Sequence, residues 1–200
     1  MASNKSHLYD ASSITVLEGL EAVRMRPGMY IGSVSTRGLN HLIYEIVDNA
    51  VDEHLAGFCT EIHVTLEADG SATVEDNGRG IPVGMHAQGV SAERVVYTTL
   101  HAGGKFGHDA YKTSGGLHGV GSSVVNALSL RMTVRVSRDG KIYQDTYERG
   151  NPTTPLEKGL LPVVGKSSKT GTLVNFLPDP DIFERTRFKE DEVINRLHET

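Results

Sequence analysis

The segment from residue 39 to residue 57 constrains the fold most, because it has the pattern of one helix with two chemically different sides. At about 100° per residue, the apolar residues that fall on one side are Leu39, Ile43, Ile46, Val47 and Ala50. The other side carries Glu45, Asn49, Asp52 and Glu53 within about 100° of arc. A helix buries its apolar stripe, so these polar groups are expected to face away from the core. They form either a solvated acidic surface or one wall of a ligand site.

The other segments predict an α+β fold. Alternating residues around Asp-Gly turns predict two hairpins, at 61–75 and 130–147, and a last strand is expected at 172–177. Helical patterns occupy 13–23, 90–101, 122–128 and 188–200. Hairpins interleaved with helices predict a two-layer sandwich, with a mixed, mostly antiparallel sheet and helices on one face. Residues 1–15 are expected to form an N-terminal arm and residues 16–200 one domain, an N-terminal fragment of a longer protein.

Composition narrows the function classes. The formal net charge of −5 disfavours this chain as a main nucleic-acid-binding surface. The single cysteine, Cys59, excludes an internal disulfide and a multi-cysteine metal site. No apolar run approaches the ~18 residues of a membrane helix, and the first residues lack a signal-peptide pattern. These features predict a cytoplasmic chain with no membrane partner.

The chain has 22 glycines, and several of them cluster in three segments. The first, Asp76-Asn77-Gly78-Arg79-Gly80-Ile81-Pro82, follows a predicted strand. Its glycines allow a flat ligand to approach the backbone, and the Asp76 carboxylate is able to accept a hydrogen bond from an exocyclic amine. A plain turn is the alternative interpretation.

The other two glycine segments surround a long polar stretch. Gly115-Gly116-Leu117-His118-Gly119-Val120-Gly121-Ser122 precedes a helix, where backbone N–H groups bind phosphates. It is not a P-loop, because no Lys-Ser or Lys-Thr follows the glycines. Ala102-Gly103-Gly104-Lys105-Phe106 opens an aperiodic loop of the kind that often forms a lid. Lys105 is either a phosphate ligand or a solvated loop lysine.

A triphosphate beside the acidic helix requires a cation between them, and Mg²⁺ takes few protein ligands. The Asn49 amide oxygen is the candidate metal ligand. Glu45, one turn earlier, is then placed to polarise a water toward the terminal phosphorus, and His41 to orient that water or Glu45. Glu53 is expected to pair with Arg79 and to hold the 76–82 loop against the helix.

Taken together, the segments at 45–53, 76–82 and 115–121 resemble the three ATP-binding motifs of the GHKL (Bergerat-fold) ATPases. Three further segments, Arg26-Pro27-Gly28-Met29-Tyr30-Ile31-Gly32, 101–106 and 124–129, are similar to the ATPase domains of the B-type chains of bacterial type II topoisomerases in particular. The resemblance covers almost the whole chain. It implies an ATP-driven dimerising clamp that acts in DNA strand passage, with the gyrase type favoured and the topoisomerase IV type as the alternative.

The resemblance also implies roles for individual residues. Glu45 corresponds to the general base, Asn49 to the magnesium ligand, and Asp76, with Thr172 through water, to the reader of the adenine amine. The remaining positions implied in nucleotide binding are the lid residues Gly103, Gly104, Lys105, Tyr111, Gly116, Leu117, His118, Gly119, Val120, Gly121 and Ser122, the loop residues Gly80 and Ile81, and the arm residue Tyr9. Arg79, Pro82 and Arg138 match positions where aminocoumarin-type inhibitors bind. Asn77 replaces a common aspartate, a change that should leave the adenine contact intact.

The implied partners are a second copy of the chain, which Tyr9 would reach on dimerisation, together with an A-type gyrase chain and DNA, both bound through regions outside this chain. In the resembling proteins a further domain donates a lysine to the terminal phosphate. The chain ends before such a domain, so we expect it to bind ATP but to hydrolyse it poorly. A nucleotide-gated interaction module with little hydrolysis remains the alternative of a different class.

Overall fold

A computed structural model describes residues 19–100 and 121–199. In this part of the chain the helices are α1 (Leu20–Met25), α2 (Gly28–Ile31), α3 (Thr36–Leu55), α4 (Ala92–Thr98), α5 (Gly121–Ala127) and α6 (Glu190–Leu197). The strands are β1 (Ile62–Leu66), β2 (Ala72–Asp76), β3 (Ser129–Arg138), β4 (Lys141–Glu148), β5 (Asn151–Pro152), β6 (Val163–Lys166) and β7 (Gly171–Pro178). None of these helices has the length and hydropathy that a membrane span requires.

The strands form one seven-stranded sheet in the order β1-β2-β7-β3-β4-β5, and β6 also pairs with β4. Every pairing among the described strands is antiparallel. Strand β7, the last in the chain, inserts between the two predicted hairpins and joins them into one sheet. The predicted α+β fold is therefore confirmed. Between β4 and β7, the segment 151–169 contains the two short strands β5 and β6, both of which pair with β4.

One face of the sheet carries the core. Its cross-strand rows include Val74, Val174 and Val134, which are aligned on β2, β7 and β3 and are all buried. Helix α3 covers this face with Leu39, Leu42, Ile43, Ile46, Val47 and Ala50. Each row of branched side chains removes apolar surface from water on both the sheet and the helix, at about 25 cal/mol per Å².

Helix α3 is longer at its N-terminus than the apolar pattern predicted, since it begins at Thr36. Gly38 allows the first turn of α3 to lie against the backbone of Ser33, because a β-carbon at this position would collide with the Ser33 carbonyl. The helix ends as expected, with Gly57 at a positive φ of 85°. The residues Gly28–Ile31, within the segment 26–32 that carries part of the resemblance, form the short helix α2.

A buried polar network attaches α4 to β4. Asp145, which is fully buried, accepts hydrogen bonds from Arg94 Nε at 2.9 Å and Arg94 Nη2 at 2.7 Å. The Tyr147 hydroxyl lies 2.8 Å from Asp145 Oδ2 and 3.0 Å from Glu93 Oε1. Burial first, and then the Asp145 charge, raise the pKa of Glu93 well above its usual range. This network therefore holds α4 against the sheet.

Candidate active site

The polar side of α3 places Glu45 next to a histidine on the same helix. His41 Nε2 lies 2.8 Å from Glu45 Oε1, one helical turn away. With Glu45 ionised, its oxygens only accept, so Nε2 carries the hydrogen. Of the two interpretations left open for this side of α3, Glu45 does not fit the solvated acidic surface, because its side chain is only 6% exposed. The start of α5 covers it: a β-carbon on Gly121 would collide with Glu45 Oε2.

One turn further along α3, Asn49 is exposed and contacts the same end of α5. Its Nδ2 donates a hydrogen bond of 3.0 Å to Ser122 Oγ. Gly121 and Ser122 therefore touch Glu45 and Asn49 respectively, and two successive residues of one helix contact both predicted chemical groups.

Asp76 and Thr172 form a polar pair at the edge of the sheet next to α3. Asp76 is the last residue of β2 and lies directly opposite Thr172 on β7. Both continue the core-facing alternation of their strands, since Val74 and Val174 form the preceding row. Two polar side chains thus stand where the sheet pattern expects apolar ones. The Thr172 hydroxyl accepts a hydrogen bond of 3.2 Å from the Ile81 N–H, which ties the 76–82 loop to β7.

The environment of Asp76 favours a protonated carboxyl more than water does. Burial is the largest effect and raises its pKa, and the charges of Glu53 and Glu75 act in the same direction. Hydrogen bonds from the Gly78 and Thr172 backbones oppose the rise, and the Gly78 N–H lies 2.8 Å from Asp76 Oδ1. A carboxylate offers about four lone-pair sites, so these two bonds leave it able to accept from a ligand amine as well.

The predicted contact between Glu53 and the 76–82 loop is present. Glu53 Oε1 accepts from Arg79 Nη2 at 2.7 Å, and Glu53 Oε2 accepts from Arg79 Nε and from the Arg79 backbone N–H, both at 3.1 Å. The Arg79 guanidinium also lies over the Phe58 ring, 3.8 Å from its centroid. Asn77 points to the other side and accepts from the backbone N–H groups of Thr60 and Glu61.

Two further loop positions show why the segment needs its residue types. Gly80 has a φ of 78°, and a β-carbon there would lie 2.9 Å from the Ser137 carbonyl oxygen. Arg138, at the end of β3, donates from Nη1 to the Gly80 carbonyl at 2.8 Å. Pro82 follows on the same loop and is partly exposed. The predicted rim residues Arg79, Pro82 and Arg138 therefore all belong to one loop or contact it.

The predicted Mg²⁺ site requires few ligands from the protein. Among the described residues, no group of three or more His, Cys, Asp or Glu side chains has the geometry to hold an ion. Mg²⁺ bound mainly by phosphates and water needs only one or two protein oxygens. In the described part of the chain, the Asn49 amide oxygen has no hydrogen-bond donor, while the amide nitrogen is already engaged. Asn49 therefore fits a single-ligand role.

Several predicted site residues lie outside the described residues. They are Tyr9, Gly103, Gly104, Lys105, Tyr111, Gly116, Leu117, His118, Gly119 and Val120, together with the whole predicted arm.

Sequence reasoning missed Tyr97, a fully buried tyrosine of α4 that interacts with Ser122 and lies close enough to Asp76 to feel its charge. Tyr97 falls within the segment 90–101 that was predicted to be helical, but no role was predicted for it. Only the packing of α4 on α5 shows that its hydroxyl reaches the site.

Comparison with known proteins agrees with this geometry. The sequence model of the family described as histidine kinase-, DNA gyrase B- and HSP90-like ATPase matches residues 35–181. The chain is 63% identical over 192 residues to the B subunit of DNA gyrase from Thermotoga maritima, and the match covers 96% of this chain and 29% of that protein. It is 57% identical over 194 residues to the B subunit of DNA topoisomerase 4 from Streptococcus pneumoniae, with 96% of this chain and 29% of that protein covered.

A solved structure shares the fold. The 43K ATPase domain of Thermus thermophilus gyrase B, in complex with an aminocoumarin, superposes with a TM-score of 0.78 at 49% sequence identity. The match covers 92% of this chain and 45% of that one. The chain thus spans less than a third of each of the two curated relatives, at 29% of their length.

Proposed function

Because this chain belongs to the histidine kinase-, DNA gyrase B- and HSP90-like ATPase family, we propose that it is the ATP-binding and ATP-hydrolysing domain of a B-type chain of a type II DNA topoisomerase. We propose the gyrase type, in which the whole protein uses ATP-driven dimerisation for strand passage and negative supercoiling. The observation that carries the proposal is the joint contact of Gly121 with Glu45 and of Ser122 with Asn49, beside the polar pair of Asp76 and Thr172.

In the proposed reaction, Asp76 accepts a hydrogen bond from the adenine amine, and the 76–82 loop closes the edge of the base pocket. Glu45 accepts the proton of the attacking water, and His41 holds the Glu45 carboxylate by donating from Nε2 to Oε1. Mg²⁺ bound to Asn49 would neutralise charge on the phosphates. The positive end of α5 and the glycine backbone before it would face the same phosphates.

The same pocket accounts for the proposed inhibitor site. An aminocoumarin is bound to the related Thermus domain. In this chain Arg79 contacts Glu53, and Arg138 contacts Gly80 of the loop that also carries Pro82, which supports these three residues as the proposed inhibitor contacts. An A-type gyrase chain, DNA and a second copy of the chain are the proposed partners of the whole protein. Sequence similarity does not separate the gyrase proposal from the topoisomerase IV alternative, because the chain is 63% identical to a gyrase subunit and 57% identical to a topoisomerase 4 subunit. Supercoiling and decatenation assays on the full-length assembly separate them.

The decisive experiment on the domain itself replaces the base. Glu45→Ala and the isosteric Glu45→Gln should bind a non-hydrolysable ATP analogue with nearly wild-type affinity. Because the chain alone is expected to hydrolyse ATP poorly, hydrolysis is measured in the full-length assembly, where it should fall by about 10²- to 10⁴-fold, the usual contribution of a general base. Glu190→Gln, an exposed carboxylate at the start of α6, is the control and should change neither quantity.

Hydrolysis that survives in both Glu45 variants would contradict the base assignment. A wild-type chain that binds nucleotide but shows no hydrolysis dependent on Glu45, even in the full-length assembly, would favour the nucleotide-gated interaction module instead.

A further inference from the structure

The contact between Asn49 and Ser122 bears on which end of the asparagine side chain faces the nucleotide. The two ends of an amide have nearly the same shape but opposite chemistry, since the NH₂ group only donates and the oxygen only accepts. Rotation by 180° about the last side-chain bond therefore replaces a potential cation ligand with a group that repels cations. A metal-binding asparagine on an exposed helix face needs a neighbour that fixes its orientation.

Ser122 is such a neighbour. Its Oγ lies 3.0 Å from Asn49 Nδ2 and accepts a hydrogen bond from it. The serine is only 8% exposed and sits on α5, so it is held by packing, whereas Asn49 is exposed. A fixed partner thus binds one end of a side chain that otherwise faces solvent.

A hydroxyl is able to donate as well as accept, so the direction of the bond has to be set by something else. The buried neighbour of Ser122 that bears on this direction is Tyr97. Its side chain is fully buried, and burial raises its pKa most, followed by the charges of Glu93 and Asp76. Contact with the Ser122 side chain lowers that pKa. A Ser122 hydroxyl that donates to this phenol would present its lone pairs to Asn49, and Asn49 Nδ2 does donate to Ser122 Oγ at 3.0 Å.

We propose that Ser122, backed by Tyr97, is a positioning residue that selects the amide orientation of Asn49 and so presents Oδ1 to the metal–nucleotide complex. This inference rests on the proposed function, in which Asn49 is the magnesium ligand. Ser122 acts through Asn49, and this role is separate from a phosphate contact by the backbone of the same segment.

The test measures how Mg²⁺ changes nucleotide affinity, using the chain and the non-hydrolysable analogue AMPPNP, by calorimetry across Mg²⁺ concentrations and in EDTA. Loss of one neutral hydrogen bond corresponds to about a three- to tenfold effect. Ser122→Ala should reduce the tightening by Mg²⁺ by about that factor and change the affinity in EDTA much less. Tyr97→Phe should act in the same direction, and Ser122→Thr, which keeps the hydroxyl, should restore the wild-type response.

Ser129→Ala is the matched control. Ser129 is also buried and lies just beyond the opposite end of α5, where its hydroxyl donates to the Val125 carbonyl at 2.6 Å. Its substitution should leave the Mg²⁺ response unchanged. A second readout needs no nucleotide: NMR should show slow exchange of the Asn49 side-chain NH₂ hydrogens in the wild-type chain and faster exchange in Ser122→Ala.

The outcomes distinguish failure of the positioning role from failure of the proposed function. If Asn49→Ala abolishes the response to Mg²⁺ while Ser122→Ala keeps it, the positioning role is wrong and the proposed function stands. If Ser122→Ala weakens binding equally with Mg²⁺ and in EDTA, the serine acts on the nucleotide or the fold, and the positioning role is again wrong. If Asn49→Ala leaves the response intact, the metal assignment in the proposed function fails, and the inference fails with it.

Discussion

Gly121, the first residue of α5, lies directly against the carboxylate of Glu45 on α3, and a β-carbon at this position would collide with Oε2. This contact explains how Glu45 is both buried and placed for its proposed catalytic role. The helix that follows the glycine-rich segment forms the wall on which the carboxylate rests. Any movement of the α5 N-terminus therefore changes the position of the proposed base.

Gly121→Ala should displace that carboxylate. We expect hydrolysis to fall by at least about tenfold and the free energy of unfolding to decrease by about 1–3 kcal/mol, as in other overpacked sites. Gly84→Ala is the control, because a β-carbon there would meet no atom within 4 Å. Steady-state ATPase rates in the full-length assembly and chemical denaturation of the chain give the two quantities. Wild-type hydrolysis in Gly121→Ala would show that the contact does not position Glu45.

The Glu53–Arg79 pair is predicted to be asymmetric in its contribution to nucleotide binding. Glu53 accepts from the Arg79 side chain and from its backbone N–H, whereas replacing Arg79 leaves the backbone bond in place. Glu53→Ala should therefore weaken nucleotide binding more than Arg79→Ala does. A double-mutant cycle on the free energy of unfolding should give a coupling of about 0.5–1 kcal/mol, because both side chains are partly exposed. Equal effects of the two single variants on nucleotide affinity would contradict this account.

Asp76 should titrate at a higher pH than an ordinary aspartate. Burial raises its pKa, and the Glu53 charge adds to the effect, so Glu53→Gln should shift the titration back toward lower pH. Asp69 serves as an internal control, because hydrogen bonds from Ser71 lower its pKa. Carboxyl carbon NMR of the labelled chain should place Asp76 above and Asp69 below the usual aspartate value of about 3.9. The reverse order would show that Asp76 is not buried as described.

The raised pKa of Glu93 predicts that the folded chain loses stability as the pH rises. Its folded-state pKa is raised well above the usual value by burial, so the folded chain keeps a proton that the unfolded chain releases above about pH 4.3. Because the folded state then binds more protons, stability falls by up to about 1.4 kcal/mol per pH unit until the folded-state pKa is reached. Glu93→Gln removes this ionisation and keeps a side-chain oxygen that accepts from the Tyr147 hydroxyl.

The measurement is the free energy of unfolding of the wild-type chain and of Glu93→Gln at several pH values. The difference between them should move in favour of Glu93→Gln as the pH rises above about 4.3. Tyr147→Phe removes the hydroxyl between the two carboxyl groups. It tests whether this hydrogen-bond network, and not the volume of the side chains alone, determines the pH dependence of the free energy of unfolding. A pH-independent difference would show that Glu93 is ionised in the folded chain.

Much of this protein follows from local pattern in the sequence. The apolar period of α3, the Asp-Gly turns and the strand alternation are short-range properties, so the helix, both hairpins and the α+β class were predictable. The ion pair between Glu53 and Arg79 was also predictable, because the helix face carries carboxylates and the glycine loop beside the proposed pocket carries an arginine. The position of Asp76 was visible as a carboxylate at the end of a strand, in phase with Ala72 and Val74.

Only the tertiary structure decided what those groups contact. A helical projection places Glu45 on the polar side of α3, but it contains no information about α5, which buries Glu45 under Gly121 and binds Asn49 through Ser122. Sequence periodicity reports which face of an element turns inward. Contacts between elements distant in the chain depend on the sheet order and on close packing, and these arise only when β7 joins the two hairpins and the helices pack on the shared face.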